Sequence, residues 1–288
     1  MGDAEVFEQH RPHLQAVALR LLGSAGEAED AVQEAWLRFS RADTSGVQNL
    51  PGWLTTVVSR VSLDALRARA ARRERPVGSE LPDRRDVASP DPQEEAQLAD
   101  SVGRALLVVL DRLAPAERVA FVLHDVFGLA FAEIGPVLSR SPDTAKKLAS
   151  RARQKVRVPE DALPADLAGH RRLVEAFLDA IRRADLDTLL AVLAPDVERR
   201  ADAVALPPGA PAVLRGAREV AAQARMLSPQ RARYAELALV DGSVGAIVAP
   251  GGRLVAALVF TFADGRITSY EVIADPARLA GLDVALPS

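Results

Sequence analysis

The stretch SRSPDTAKKLASRARQKVR, residues 139–157, decides how the rest of the chain is read. Ser141 is a good helix N-cap, Pro142 suits the first helical position, and Asp143 suits the positive end of a helix dipole. From there Ala145, Leu148, Ala149 and Ala152 recur at helical spacing and predict the inward face. Thr144, Lys146, Lys147, Ser150, Arg151 and Arg153 are left for the outer face. Upstream, Phe131–Leu138 predicts a short helix with Arg140-Ser141 as the turn. Ala116–Phe127 predicts another apolar helix, interrupted by Gly128. A short helix, a turn and a basic helix make the pattern of a helix-turn-helix, whose second helix enters the major groove. Lys and Arg reach phosphate or guanine, and Thr and Ser reach either. A plain helical hairpin has the same spacing, so the pattern alone leaves both readings open.

Charge sharpens the contrast. Residues 140–157 hold seven basic side chains and one acidic, on a chain whose net charge is −3. Residues 76–100 run the other way, with two basic and seven acidic. A local basic helix on a mildly acidic chain suits a focused nucleic-acid contact, although most such runs are solvated helix faces. That acidic stretch contains Pro76, Gly78, Pro82, Pro90 and Pro92, and reads as a linker too polar to bury a core.

Before the linker the pattern is helical throughout. Leu14, Val17, Ala18, Leu21 and Leu22 share a face until Gly23-Ser24 breaks it. Ala28, Ala31, Val32, Ala35, Trp36 and Phe39 share the next, leaving Glu29, Asp30, Gln33 and Glu34 outward. An acidic, polar face beside a Trp suits docking onto a basic partner, and equally suits water. Asn49-Leu50-Pro51 restarts the chain, with Pro51 in the first turn of a long helix carrying Trp53, Leu54, Val57, Val58, Val61 and Leu66.

After residue 168 the character changes. A helix with Leu173, Phe177 and Ile181, and with Leu189, Leu190 and Leu193 beyond a turn, precedes strand-like segments. Ala235–Leu239, Val244–Val248, Leu254–Phe262 and Ile267–Ile273 are separated by Asp241-Gly242, Gly251-Gly252 and Asp264-Gly265, which are hairpin signals. A helix followed by an antiparallel meander predicts an α+β domain. The expected organisation is therefore 1–75, a linker at 76–100, a second helical domain at 101–158 and an α+β domain at 168–288.

Composition excludes several classes. The 288 residues include no cysteine, so disulfides, thiolate metal sites and a Cys nucleophile are ruled out. No uncharged apolar run reaches the length of a membrane span, and Asp3, Glu5 and Glu8 stand where a signal segment would be basic and then apolar. The expectation is a cytoplasmic protein with no metal or other cofactor.

Two segments carry a specific resemblance. AEDAVQEAWLRF at 28–39, followed by LPGWLTTVVSRVSLDALRARAARRE at 50–74, resembles the sigma-2 domain of extracytoplasmic-function sigma factors. LDRLAPAERVAFVLHDVFGLAFAEI, followed by SRSPDTAKKLASRARQKVR, resembles their sigma-4 domain. The resemblance implies a transcription initiation subunit, not an enzyme, whose partners are core RNA polymerase (β′ clamp helices and β flap) and promoter DNA. It would be nucleoid-associated when bound to polymerase. Glu29, Asp30, Gln33 and Trp36 then correspond to the polymerase-docking surface. Asn49, Thr55, Thr56, Ser59, Arg60 and Arg67 correspond to the reader of the −10 element, where a melted strand needs a pocket for bases and cations for phosphate. Arg140, Thr144, Lys146, Lys147, Ser150, Arg151 and Arg153 correspond to the reader of the −35 element.

Gly78-Ser79-Glu80-Leu81-Pro82-Asp83 is similar to an interdomain motif of a subgroup whose C-terminal domain is SnoaL-like, a curved sheet wrapped by helices around a cone-shaped pocket. That subgroup's Gly-rich motif is missing after Asp202, where the chain reads Ala203-Val204-Ala205-Leu206-Pro207-Pro208. Its terminal motif survives loosely as Asp275-Pro276-Ala277-Arg278-Leu279. Enzymes of this fold place acid–base groups in the cone, and Asp202 and Glu271 are the acids to weigh here. Three readings of the domain stay open: a contact module for the sigma domains, a sensor of a small-molecule ligand, and an embedded enzyme.

Overall fold

The computed structural model describes residues 3–74, 103–156, 166–227 and 229–286. The expected linker at 76–100, with its Gly78–Asp83 motif, lies outside the described residues. The chain forms two compact units, Met1–Val102 with Leu110–Lys155, and Gly103–Val109 with Val156–Ser288.

The first unit is all helical, as the apolar spacing predicts. Helices α1 (Asp3–Leu22), α2 (Ala25–Phe39) and α3 (Leu50–Glu74) pack on one another. Ser24 Oγ caps α2 by accepting from Glu27 N at 3.4 Å, and Ala28, Ala31, Val32, Ala35 and Phe39 are buried along its inner face. Small alanines let α2 approach α1 closely, and the space beside them is filled by rings. Phe7 meets the edge of Trp36 at 5.1 Å and stacks on Phe39 at 5.9 Å.

Helix α4 (Arg104–Asp111) precedes α5 (Pro115–Phe121), which runs on into a π-turn over Val122–Val126; α6 (Phe131–Leu138) and α7 (Pro142–Val156) follow. Glu117 accepts from Ala114 N at 3.3 Å at the start of α5 and pairs with Lys155 of α7 at 2.7 Å. Within this unit α3 also packs against α5 and α6, and Arg60 donates to Pro136 O at 2.9 Å.

The second unit is α+β, with a mixed seven-stranded sheet ordered β2-β1-β6-β5-β4-β3-β7. Helices α8 (Leu167–Arg183) and α9 (Leu186–Val192) lead into β1 (Leu193–Ala201) and β2 (Val213–Arg215). Then come α10 (Ala217–Leu227), α11 (Pro229–Ala232), β3 (Ala235–Val240), β4 (Ser243–Val248), β5 (Ala256–Ala263), β6 (Arg266–Ile273), α12 (Pro276–Gly281) and β7 (Val284–Ala285). The expected meander β3–β6 is present and antiparallel. Its two tight turns follow from Asp241 and Asp264, each at φ 50°, and the glycines after them at φ 77° and 68°. That pair of positive φ values matches the twist of the strands it joins.

Two expectations are corrected. Leu193 opens a strand rather than continuing a helix. That strand, β1, pairs parallel to β6, so the sheet as a whole is mixed around the antiparallel meander. Gly251-Gly252 lies in a longer connection with a 3-10 turn at Pro250–Gly252, because Pro250 has no N–H to extend the ladder. Among the described residues, no helix is long and apolar enough to cross a membrane.

Candidate polymerase and promoter interfaces

The turn between α6 and α7 is built by two residues. Ser139 adopts a left-handed conformation (φ 54°, ψ 46°), and Arg140 N returns to Gly135 O at 2.9 Å. A Cβ at position 135 would sit 2.8 Å from Arg140 O, so only glycine lets α6 come this near the turn. Ser141 Oγ then caps α7, accepting from Thr144 N at 3.3 Å and lying 2.9 Å from Thr144 Oγ1. Ala145, Ala149 and Ala152 are fully buried. This fixes the outer face: Arg140, Lys146, Lys147, Ser150 and Arg151 are exposed. Arg153 is instead half-buried, donating to Asp125 at 2.6 Å, and Thr144 is occupied at the cap.

On α2, Asp30 and Gln33 are exposed, whereas Glu29 is half-buried and accepts from Arg11 at 3.2 Å. Trp36 is half-buried against Phe7 and Phe39 and acts as an anchor inside the unit. The outer face also holds Leu37, which the charge-based reading passed over. It is 43% exposed and lies one turn beyond Gln33, so Asp30, Gln33 and Leu37 form one stripe with an apolar end.

Around α3 the expected −10 contacts lie in different surroundings. Asn49 is exposed, but its Oδ1 accepts from Gly52 N at 3.0 Å, making it the helix cap. Thr55 and Ser59 are buried, because α3 is covered both by α1 and α2 and by α5 and α6. Thr55 Oγ1 donates to Pro51 O at 2.8 Å and lies 3.3 Å from His13 Nε2; Ser59 Oγ has no hydrogen-bond partner among the described residues. Thr56 is half-buried and donates to Gly52 O at 3.0 Å. Arg60 and Arg67 remain exposed, Arg67 beside Asp64 at 3.6 Å.

These helices coincide with two known sequence families. Sigma-70 region 2 matches residues 6–72, and Sigma-70 region 4 matches residues 103–156. The ECF RNA polymerase sigma factor SigJ of Mycobacterium tuberculosis is 39% identical, across 96% of this chain and 92% of its own. The chain belongs to the extracytoplasmic-function RNA polymerase sigma factors. As a member it is a promoter-directing subunit that works with core RNA polymerase. Among solved structures, this sigma factor is similar to crystalline SigJ of Mycobacterium tuberculosis, with 37% identity, 96% and 98% coverage and a TM-score of 0.46. A snoal-like protein of unknown function from Burkholderia thailandensis is similar over 38% of this chain and 96% of its own, at 23% identity and a TM-score of 0.30.

In the sigma factor's second unit, the two acids weighed for chemistry hold structure. Asp202 Oδ2 accepts from Ala274 N and Asp275 N, both at 2.7 Å, and Oδ1 from Ala205 N at 2.9 Å. Burial alone would raise this carboxyl. The three backbone donors and the charge of Arg278 outweigh burial and hold it below the ordinary carboxylate range. The two places where the subgroup's motifs are expected, after residue 202 and at 275–279, therefore meet at one side chain. Glu271 points away from Tyr270 and Val272 and pairs with Arg278 at 2.8 Å. No group of three or more metal-ligating side chains occurs among the described residues.

The second unit also takes in the first residues of the region 4 match. Glu236 of β3 accepts from Ala105 N at 2.8 Å and pairs with Arg104 at 3.4 Å. The Arg104 guanidinium lies 5.6 Å from the centre of the Tyr234 ring. Backbone donor, cation and ring thus fix the start of α4, and nothing in the sequence pattern of 101–111 signals such a partner.

Proposed function

We propose that residues 1–75 bind core polymerase and read the −10 element, residues 76–100 tether, residues 101–158 read the −35 element, and residues 168–288 modulate the output. Asp30, Gln33 and Leu37, with Glu29 and Trp36 behind them, form the docking stripe for the β′ clamp helices, and the second helical domain meets the β flap. Arg60, Arg67 and Thr56 serve the −10 element. Arg140, Lys146, Lys147, Ser150 and Arg151 serve the −35 element. The protein works in the cytoplasm, on the nucleoid when polymerase-bound. The C-terminal unit acts by contact and by holding a small molecule, not by catalysis, since Asp202 and Glu271 are both engaged in structural bonds.

One observation carries this reading: a row of exposed cations on α7, directly behind a turn that only glycine permits. Such a row can follow a phosphate backbone and reach guanine edges. The test is run-off transcription with core enzyme and a −35-dependent promoter. Lys147→Ala with Arg151→Ala is expected to weaken promoter binding at least about tenfold and to flatten its salt dependence by up to about two log–log units. Unchanged transcription and salt slope would remove α7 from the promoter.

A further inference from the structure

A cavity of about 100 Å3 lies between α8, the sheet and the α10–α11 segment of the second unit. Its wall is aliphatic and aromatic apart from Arg231, which is exposed, and one polar cluster formed by Arg199, Gln223 and Tyr270. Strand alternation puts Arg199 there: Val197, Arg199 and Ala201 are buried while Glu198 and Arg200 face out. Tyr270 is its register partner on the neighbouring parallel strand β6, so the two side chains share the inner face.

The cluster is rich in donors and poor in acceptors. Arg199 is 3% exposed, a depth at which a guanidinium is ordinarily matched by a carboxylate. Here Nη1 reaches Pro211 O at 3.1 Å and Ala212 O at 3.4 Å, and Nη2 reaches Gln223 Oε1. Among the described residues it has no ion pair, and the cavity lining contains no acid. These three acceptors leave at least two of its five N–H donors over. Tyr270 is 6% exposed, and its hydroxyl makes no hydrogen bond with any described residue. Burial pushes the phenol up, so it stays a protonated donor. With Oε1 turned to Arg199, the Gln223 amide presents its NH2 end as well.

We propose that this cavity is a binding site for a small apolar monocarboxylate. Arg199, Tyr270 and Gln223 receive the carboxylate, and Phe177, Ile181 and Leu258 receive the hydrocarbon body. One buried cation matches one negative charge, and a neutral molecule of the same shape leaves the guanidinium unmatched. The volume is on the scale of cavities of about 150 Å3 that admit a benzene ring, which limits the body to roughly six heavy atoms. This proposal deepens the reading of the C-terminal unit as a modulator and rests on it for its consequence.

The experiment titrates the full chain by calorimetry with benzoate and pentanoate, and with benzamide and pentanamide as neutral counterparts. The acids are expected to bind at least about tenfold more tightly than the amides. Arg199→Gln should erase that difference, Tyr270→Phe should weaken the acids about fivefold, and Ala256→Leu, which fills the cavity, should stop all four. Should Arg199→Gln fail to fold by circular dichroism, the other two variants still decide. Equal binding of acid and amide, no binding of any probe, or undiminished acid binding in the Tyr270 and Ala256 variants would overturn the site. Run-off transcription with and without benzoate separates the two claims. Binding without a change in output upholds the site and overturns the modulator reading alone.

Discussion

Gly135 has an unusually narrow tolerance. The β-carbon of any other residue there would sit 2.8 Å from Arg140 O and 3.3 Å from Pro142 N, both backbone atoms of the turn, and a branched side chain such as valine adds bulk to that clash. Gly135→Val is expected to destabilise the first unit by about 2–3 kcal/mol and to abolish −35-dependent initiation; urea unfolding and promoter binding check the two effects. Asp202 is the other residue with large leverage, since one carboxylate closes three backbone donors from two separate loops. Asp202→Ala should cost about 2–3 kcal/mol in the second unit, read as a drop in its denaturation midpoint. The sign with pH follows from the depressed carboxyl. Its contribution is complete above the ordinary Asp range and is lost as pH falls through the lower folded value. The wild-type chain should therefore lose stability on acidification more steeply than Asp202→Ala.

At the scale of elements, α2 and α4 make complementary predictions. Asp30→Ala, Gln33→Ala and Leu37→Ala together remove a stripe of exposed side chains without touching the core, so polymerase co-purification should fall about tenfold or more while thermal unfolding stays put. At α4 the readout is local. Glu236→Ala takes the acceptor from Ala105 N and the partner from Arg104, and amide exchange over 103–109 should quicken about tenfold by mass spectrometry.

How much of these elements could be read from the sequence depends on which face a residue serves. Helices α2, α3, α6 and α7 were legible because alanine, valine and leucine recur at turn spacing and Ser, Pro and Gly mark the ends. The hairpins were legible because Asp-Gly forces positive φ. Strand β1 was not, because an arginine occupies its inward position at 199 and disguises the alternation. Thr55 and Ser59 looked like outer polar residues, but α3 is covered on two sides, which no single-helix pattern reveals. Asn49 entered through the family resemblance alone, and its part as the cap of α3 is a second use of the same amide.

At the scale of the whole molecule, the packing of α3 on α6 within the first unit has a definite consequence. The −10 and −35 elements lie roughly 25 base pairs apart, about 85 Å along B-DNA, whereas here Arg60 of the first module is hydrogen-bonded to Pro136 of the second at 2.9 Å. Fluorophores on Glu5 of α1 and Ala132 of α6, both exposed and outside the proposed binding faces, should lose energy transfer when core polymerase and promoter are added. Transfer that persists in a transcribing complex would contradict the assignment of the two modules to separate elements. If the two modules read separate elements, that hydrogen bond has to part before both can sit on the promoter. Arg60→Ala should therefore shorten the lag before the first transcript even if it weakens the grip on the promoter afterwards.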